Sequence, residues 1–384
     1  WGRYYLPVAT NTNQRLAGAE FFIQDTWTLD RSGVAGDANA DGIYDANGDP
    51  VLGTFLGGTN LATGEVRPIS TQVDKELDPM FVDEFILGYE QRVFGDWTMG
   101  IKGTYRDLGT AIDDVAIDAA VLAYCENDSG DLSEAICYNV WYGFHQYVLT
   151  NPGEDMVITL AGDDLTRADA GPGGLGRTFT DREITLSAAD LNYPSPDRTY
   201  KAVEVSLEKP FDGVWGGRFS YVWSESKGNY EGALKSDNGQ TDPGLSQDFD
   251  QPGLLDNAYG YLPNHRAHTF KAFGNWQATP ALNIGANLLI QSPRKFGCIG
   301  VHPTDIFASF YGASSWFCNG VATPRGESFE SDWLKVLDLT FAYDLSEVFD
   351  IPGDSLVLRA DVFNVFDFQS AQDFNEFGEF DVGN

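Results

Sequence analysis

The chain has 384 residues, with 24 Lys and Arg against 57 Asp and Glu, a formal net charge of −33. Such a field repels phosphates, which excludes nucleic-acid binding through a basic patch and disfavours anionic lipid headgroups. The 42 Gly and 14% aromatic residues, against only 3 Met, favour strands and long connections over helices. No stretch reaches the roughly 18 to 20 consecutive apolar residues that a membrane helix needs. The chain opens on a strand-like run, WGRYYLP, with no initiator Met and no signal peptide; it reads as a fragment.

In chain order, the first long polar stretch contains DANADGIYDANGD (37–49). Asp37, Asn39, Asp41 and Asp45 stand at positions 1, 3, 5 and 9 of a calcium loop, with Gly42 at the sharp turn and the Ile43 carbonyl at position 7. Position 12 is Gly48 rather than the bidentate Glu, but Asp45, Asn47 and Asp49 repeat the theme, as short extracellular calcium repeats do. Calcium is the expected ion; the alternative is a solvated acidic turn.

Strict alternation follows in paired segments. Phe81 to Val93 leads through a Gly95-Asp96 turn into Trp97, Met99, Ile101, Gly103 and Tyr105, which alternate with Thr98, Gly100, Lys102, Thr104 and Arg106. Val203, Val205 and Leu207 oppose Glu204, Ser206 and Glu208, and the return strand sets Trp215, Gly217, Phe219, Tyr221 and Trp223 against Arg218, Ser220 and Ser224. A third hairpin runs from Phe270, Ala272, Gly274 and Trp276 through Thr279-Pro280-Ala281 to Leu282, Ile284, Ala286, Leu288 and Ile290. In the fourth, Leu337 to Leu345 returns through Pro352-Gly353-Asp354 into a strand over 354–368. With WGRYYLP these make nine strands.

Short turns inside hairpins alternate with long connections at about 8–78, 108–198, 225–264 and 297–330. Compact soluble domains rarely carry repeated loops of that length, whereas outer-membrane barrels have short periplasmic turns and long extracellular loops. Aromatic residues near strand ends (Trp97, Trp215, Trp223, Trp276) fit interfacial girdles, and the charges opposite fit a wet lumen. The expected fold is therefore all-β, an antiparallel transmembrane β-barrel, in preference to a soluble sandwich. Single-chain barrels have even strand numbers, so at least one closing strand is expected beyond the nine.

Cys125 with Cys137 and Cys298 with Cys318 form two local pairs in polar stretches without CxxC spacing, which points to disulfides, with three connectivities formally open. GPGGLG (171–176) matches a nucleotide-loop pattern without the strand before it or the helix after it and is read as loop. Asp113-Asp114 and Asp163-Asp164 have no poised partner in sequence. His265 and His268, three apart on a strand, face opposite sides and share no metal. No catalytic constellation is evident, and the chain is read as not an enzyme. The aromatic segments VWYGFHQY (140–147) and FASFYGASSWF (307–317) are either contact platforms or internal loop packing.

Six stretches together resemble one family: YRDLGTAIDD (105–114), YKAVEVSLEKPF (200–211), SYVWSESKGNYEG (220–232), SDNGQTDPG (236–244), YLPNHRAHTFKAFGNW (261–276) and LRADVFNVFDFQ (358–369). From residue 80 onward the chain resembles the C-terminal barrel portion of a TonB-dependent outer-membrane receptor, within it the Oar-like group. The resemblance implies a barrel of about 22 strands plugged by an N-terminal domain, of which this chain would supply nine to ten. It also implies the bacterial outer membrane and its lipid, energy from the TonB complex through an N-terminal region missing here, and extracellular loops that bind a peptide, glycan or metal chelate. Lys102, Arg106, Glu204, Arg218 and Arg359 would line the lumen. The alternative is a calcium-stabilised, β-rich adhesive surface protein.

Overall fold

The computed structural model describes residues 1–6, 26–29, 52–57, 71–127, 130–140, 147–171, 173–240, 244–349 and 356–378. Alternation of apolar and polar side chains makes each strand two-faced, and the expected strands all form: β1 (Gly2–Tyr5), β2 (Phe81–Phe94), β3 (Trp97–Thr110), β4 (Arg198–Lys209), β5 (Trp215–Gly228), β6 (His268–Gln277), β7 (Leu282–Gln291), β8 (Leu334–Asp344) and β9 (Val357–Val362). They lie side by side in chain order, every pair antiparallel, in one sheet that is not closed; a short strand, Gly260–Tyr261, adds to the end of β5. The turns at 95–96, 210–214 and 278–281 share one end of the sheet with the β8–β9 junction, whose expected Pro352-Gly353-Asp354 turn lies outside the described residues, and the long connections join strands at the other end. Gly95, with φ +50, supplies the left-handed residue that the two-residue turn requires.

Register aligns the alternation across strands. One row reads Met99, Leu207, Phe219, Ala272, Leu288, Leu337, and the next reads Ile101, Val205, Tyr221, Phe270, Ile290. On the reverse face Glu208, Arg218, Phe273, Asn287 and Asp338 form one row, and Lys102, Glu204, Val222 and Thr269 another. Phe273 is the single aromatic on the polar face of β6. A soluble sandwich would bury the apolar rows, yet Trp276 is 51% and Leu87 69% exposed. Ile284 and Leu339 are only half-buried.

The apolar band has the height of a membrane. On β5 it starts at Trp215 and ends at Trp223, with Glu225 and Lys227 beyond. Eight residues at about 3.4 Å each, tilted by about 40°, rise about 21 Å, which the Trp rings extend toward the roughly 25 Å band of outer-membrane barrels. No described helix is long and apolar enough to cross a membrane.

The buried apolar core lies in the long connections. It gathers Leu108, Val115, Val121, Ile136, Leu160 and Ile184 with Tyr230, Phe249 and Trp316. Between β3 and β4 the connection is folded, with helices Asp118–Asn127, Glu134–Asn139 and Gly162–Asp169 and hairpins Asp113–Ala116 with Tyr147–Thr150 and Met156–Leu160 with Arg182–Leu186. Disulfides join Cys125 to Cys137 and Cys298 to Cys318, the two local pairs of the sequence.

One boundary is corrected. The strand expected over 354–368 leaves the ladder after Val362, because Asn364 and Asp367 adopt φ of 45 and 51 and Asn364 closes a local turn by accepting the Phe368 N–H and donating to its carbonyl.

A candidate binding site at the outer end of the polar face

Strand register places the expected lumen residues on one face. Lys102 Nζ lies 2.8 Å from Glu204 on the adjacent strand, and Arg218 approaches Glu204 and Glu208 at 3.8 and 3.6 Å. Arg106 pairs with Glu84, and Arg359 with Asp361 at 3.0 Å. Such charges are tolerable in water and prohibitive in hydrocarbon.

Toward the long connections this face becomes covered. Glu84, Ala202, Ser224 and Ser226 of the polar face are buried, while Phe85, Leu87 and Trp223 of the apolar face stay exposed. The roof is hydrogen-bonded to the wall: the Ser224 hydroxyl donates to the Arg266 carbonyl at 2.7 Å, the Ser226 hydroxyl to Asn264 Oδ1 at 3.0 Å, and the Ser226 N–H to His265 Nδ1 at 3.2 Å. Burial holds the His265 imidazole neutral, down to about 4.

Within the roof, Arg325 is the centre of an ion cluster sequestered from solvent. Its guanidinium meets Glu231 at 2.9 Å, Asp248 at 3.2 Å and Asp237, beside the face of Trp316 at 5.0 Å. Lys235 Nζ is 2.9 Å from the other Asp248 oxygen and donates to the Ser314 carbonyl at 2.9 Å. Lys235, Asp248, Arg325 and Trp316 have essentially no exposure. Burial opposes each charge, yet Lys235 and Arg325 hold the Asp248 carboxyl below its ordinary range, and three acids keep Arg325 protonated. The GNYEG and SDNGQTDPG stretches thereby converge on one point. Arg325 and Lys235 carried no signal in sequence, since a lone basic residue in a loop has no periodicity to betray it, and Trp316 stands out only as part of the aromatic 307–317 segment.

Beside the cluster lies a cavity of about 560 Å³ between the 236–239 turn, Asn264, Arg294 and the 373–377 segment. Asp237 belongs to both the cavity and the cluster. Arg294 is 3.2 Å from Asp373 and 3.9 Å from Glu376, whose other oxygen accepts the Gly297 N–H at 2.6 Å. Burial, reinforced by Asp237, pushes the Glu376 carboxyl up to about 7. The 373–377 segment is tied down by Ile299, whose N–H donates to the Glu376 carbonyl at 2.8 Å.

The remaining expectations resolve individually. Asp37, Asn39, Asp41, Ile43 and Asp45 lie outside the described residues, as does His145. Among the described residues no group of three or more His, Cys, Asp or Glu is arranged for a metal. His268 is on the apolar face, 2.8 Å from the Tyr221 hydroxyl, far in role from His265 in the roof. GPGGLG is loop that wraps Asp169, which accepts the Leu175 and Arg177 N–H groups. Asp113 is a buried carboxyl group, pushed well up by burial and by Asp114, that accepts the Ser246 N–H at 2.9 Å, and Asp164 pairs with Arg167 at 2.7 Å within one helix. Of the 307–317 segment, Trp316 is packing, whereas Phe307 and Phe310 are exposed.

Among curated proteins, the TonB-dependent transporter Oar of Myxococcus xanthus is 25% identical over 303 residues, 78% of this chain and 22% of the relative. The chain is similar to a TonB-dependent transporter. It spans about a fifth of the length of that curated relative. No family model matches. Among solved structures, the outer membrane transporter YddB from Escherichia coli aligns with 80% of this chain and 32% of its own, at 13% identity and a TM-score of 0.39. FpvA of P. aeruginosa, in its complex with a heterologous pyoverdine and iron, aligns with 80% of this chain and 26% of its own, at 9% identity and a TM-score of 0.37. The fold is an antiparallel β-barrel wall, open at both edges, with its apolar face exposed.

Proposed function

We propose that this chain is part of the barrel of a TonB-dependent transport receptor that binds substrate with its long connections and passes it along the polar face. One observation carries the reading: the described parts of the connections cover the outer end of the polar face, while the apolar face stays open. A roof on the charged wall is the arrangement of a guarded aqueous passage, whereas an adhesive protein with a soluble core would bury the apolar rows. The connections 8–78 and 108–198 would face the cell exterior, and the plug and the contact with the TonB complex would belong to the rest of the receptor. Calcium would bind the 37–49 loop; isothermal titration at millimolar calcium, repeated with Asp41→Ala, tests it.

The transport reading is tested by removing detergent. The intact receptor should aggregate in plain buffer and reinsert into vesicles, since rows of Leu and Trp would otherwise face water. A protein that stays monodisperse without detergent would overturn it. No covalent chemistry enters this function.

A further inference from the structure

We infer that the cavity bordered by Asn264, Arg294 and the 373–377 segment is a binding site for a neutral saccharide, the first station on the passage; the inference rests on the transport reading above. At about 560 Å³ it falls within the roughly 300 to 1,000 Å³ of small-ligand sites. Its ionisable groups already have partners within the protein: Asp237 meets Arg325, Asp373 lies 3.2 Å and Glu376 3.9 Å from Arg294, and Glu376 also accepts the Gly297 N–H at 2.6 Å. An ionic ligand would have to compete with these pairs, whereas a neutral one leaves them intact.

What is unspent in the cavity is hydrogen-bonding capacity. Asn264 Oδ1 accepts the Ser226 hydroxyl and Asn375 Oδ1 accepts the Phe377 N–H, while neither side-chain amide donates to another described residue. Free N–H donors beside carboxylate oxygens suit hydroxyl groups, each of which donates and accepts at once. Phe374 adds an apolar platform. It is 40% exposed and stands edge-on, at 5.3 and 5.6 Å, to Phe296 and Phe329, which stack at 5.2 Å. A ring braced in this way loses little rotamer freedom when the C–H face of a sugar packs on it. The location fits an entrance, because Asn264 is bonded to Ser226 of the polar wall itself.

The test is isothermal titration of the full-length receptor in detergent micelles with maltotriose, cellotriose and chitotriose, and with trilysine as an ionic probe. At least one trisaccharide should bind, with Asn264→Ala and Phe374→Ala each weakening it about tenfold or more and Phe374→Tyr retaining it; circular dichroism checks that each variant is folded. Absence of binding by all three sugars, or binding that folded Asn264→Ala and Phe374→Ala leave unchanged, overturns the inference. So does trilysine binding that Glu376→Gln removes. Uptake by cells is read separately: a sugar bound but never imported leaves this site standing and sinks transport, while import unaffected by either variant does the reverse.

Discussion

Lys102 Nζ lies 2.8 Å from Glu204 on the neighbouring strand, and one residue along, their neighbours Ile101 and Val205 are also cross-strand partners, on the opposite face. Two adjacent pairs thus set an ion pair toward water and a hydrocarbon pair toward lipid, and that division repeats along the sheet. The pair itself is half exposed on the Lys side, so a double-mutant cycle should return a coupling of only about 0.2–1 kcal/mol.

Position relative to the faces should govern tolerance to charge. Leu288, in the middle apolar row, replaced by Arg should cost about 2–4 kcal/mol in urea unfolding from vesicles. Ser206→Arg, on the polar face between Glu204 and Glu208, should cost little. Equal costs would mean that the faces have been assigned wrongly.

Removing the central cation of the roof strands three acids. Arg325→Met should destabilise the roof by about 3–5 kcal/mol, the range for breaking a buried ion pair from one side. Hydrogen exchange in 229–258 and 314–325 should accelerate while the strands keep their protection; unchanged exchange would show the cluster to be dispensable.

Glu376 titrates upward, to about 7. A carboxyl raised in the folded state contributes stability that is complete below its ordinary value of 4.5 and is lost as pH rises toward about 7. Protection of the Ile299 amide, which donates to the Glu376 carbonyl, should therefore fall across that window, and Glu376→Gln should flatten the profile. A profile identical in the two proteins would remove Glu376 as its source.

The Cys125–Cys137 bridge joins helices Asp118–Asn127 and Glu134–Asn139 across 12 residues. Opening it should cost the connection about 3 kcal/mol on the chain-entropy account. Limited proteolysis after mild reduction should cut within 118–139 and spare the sheet; cleavage in β2 to β5 first would contradict this.

Alternation is a property of neighbouring residues, because side chains on a pleated strand point to opposite faces with period two. That is why the sequence alone determined the nine strands, their order, the short turn at Gly95-Asp96 and the two faces. It overran β9 because Asn364 and Asp367 carry a turn inside an apolar run that still looks like a strand. The site was legible only in part: GNYEG, SDNGQTDPG and LPNHRAH stood out as motifs without roles. Their meeting place needed the tertiary structure, since Arg325 reaches Glu231, Asp237 and Asp248 across 94, 88 and 77 residues. Which loop folds over which face depends on long-range packing and on charges hidden from water, and neither leaves a period in the chain.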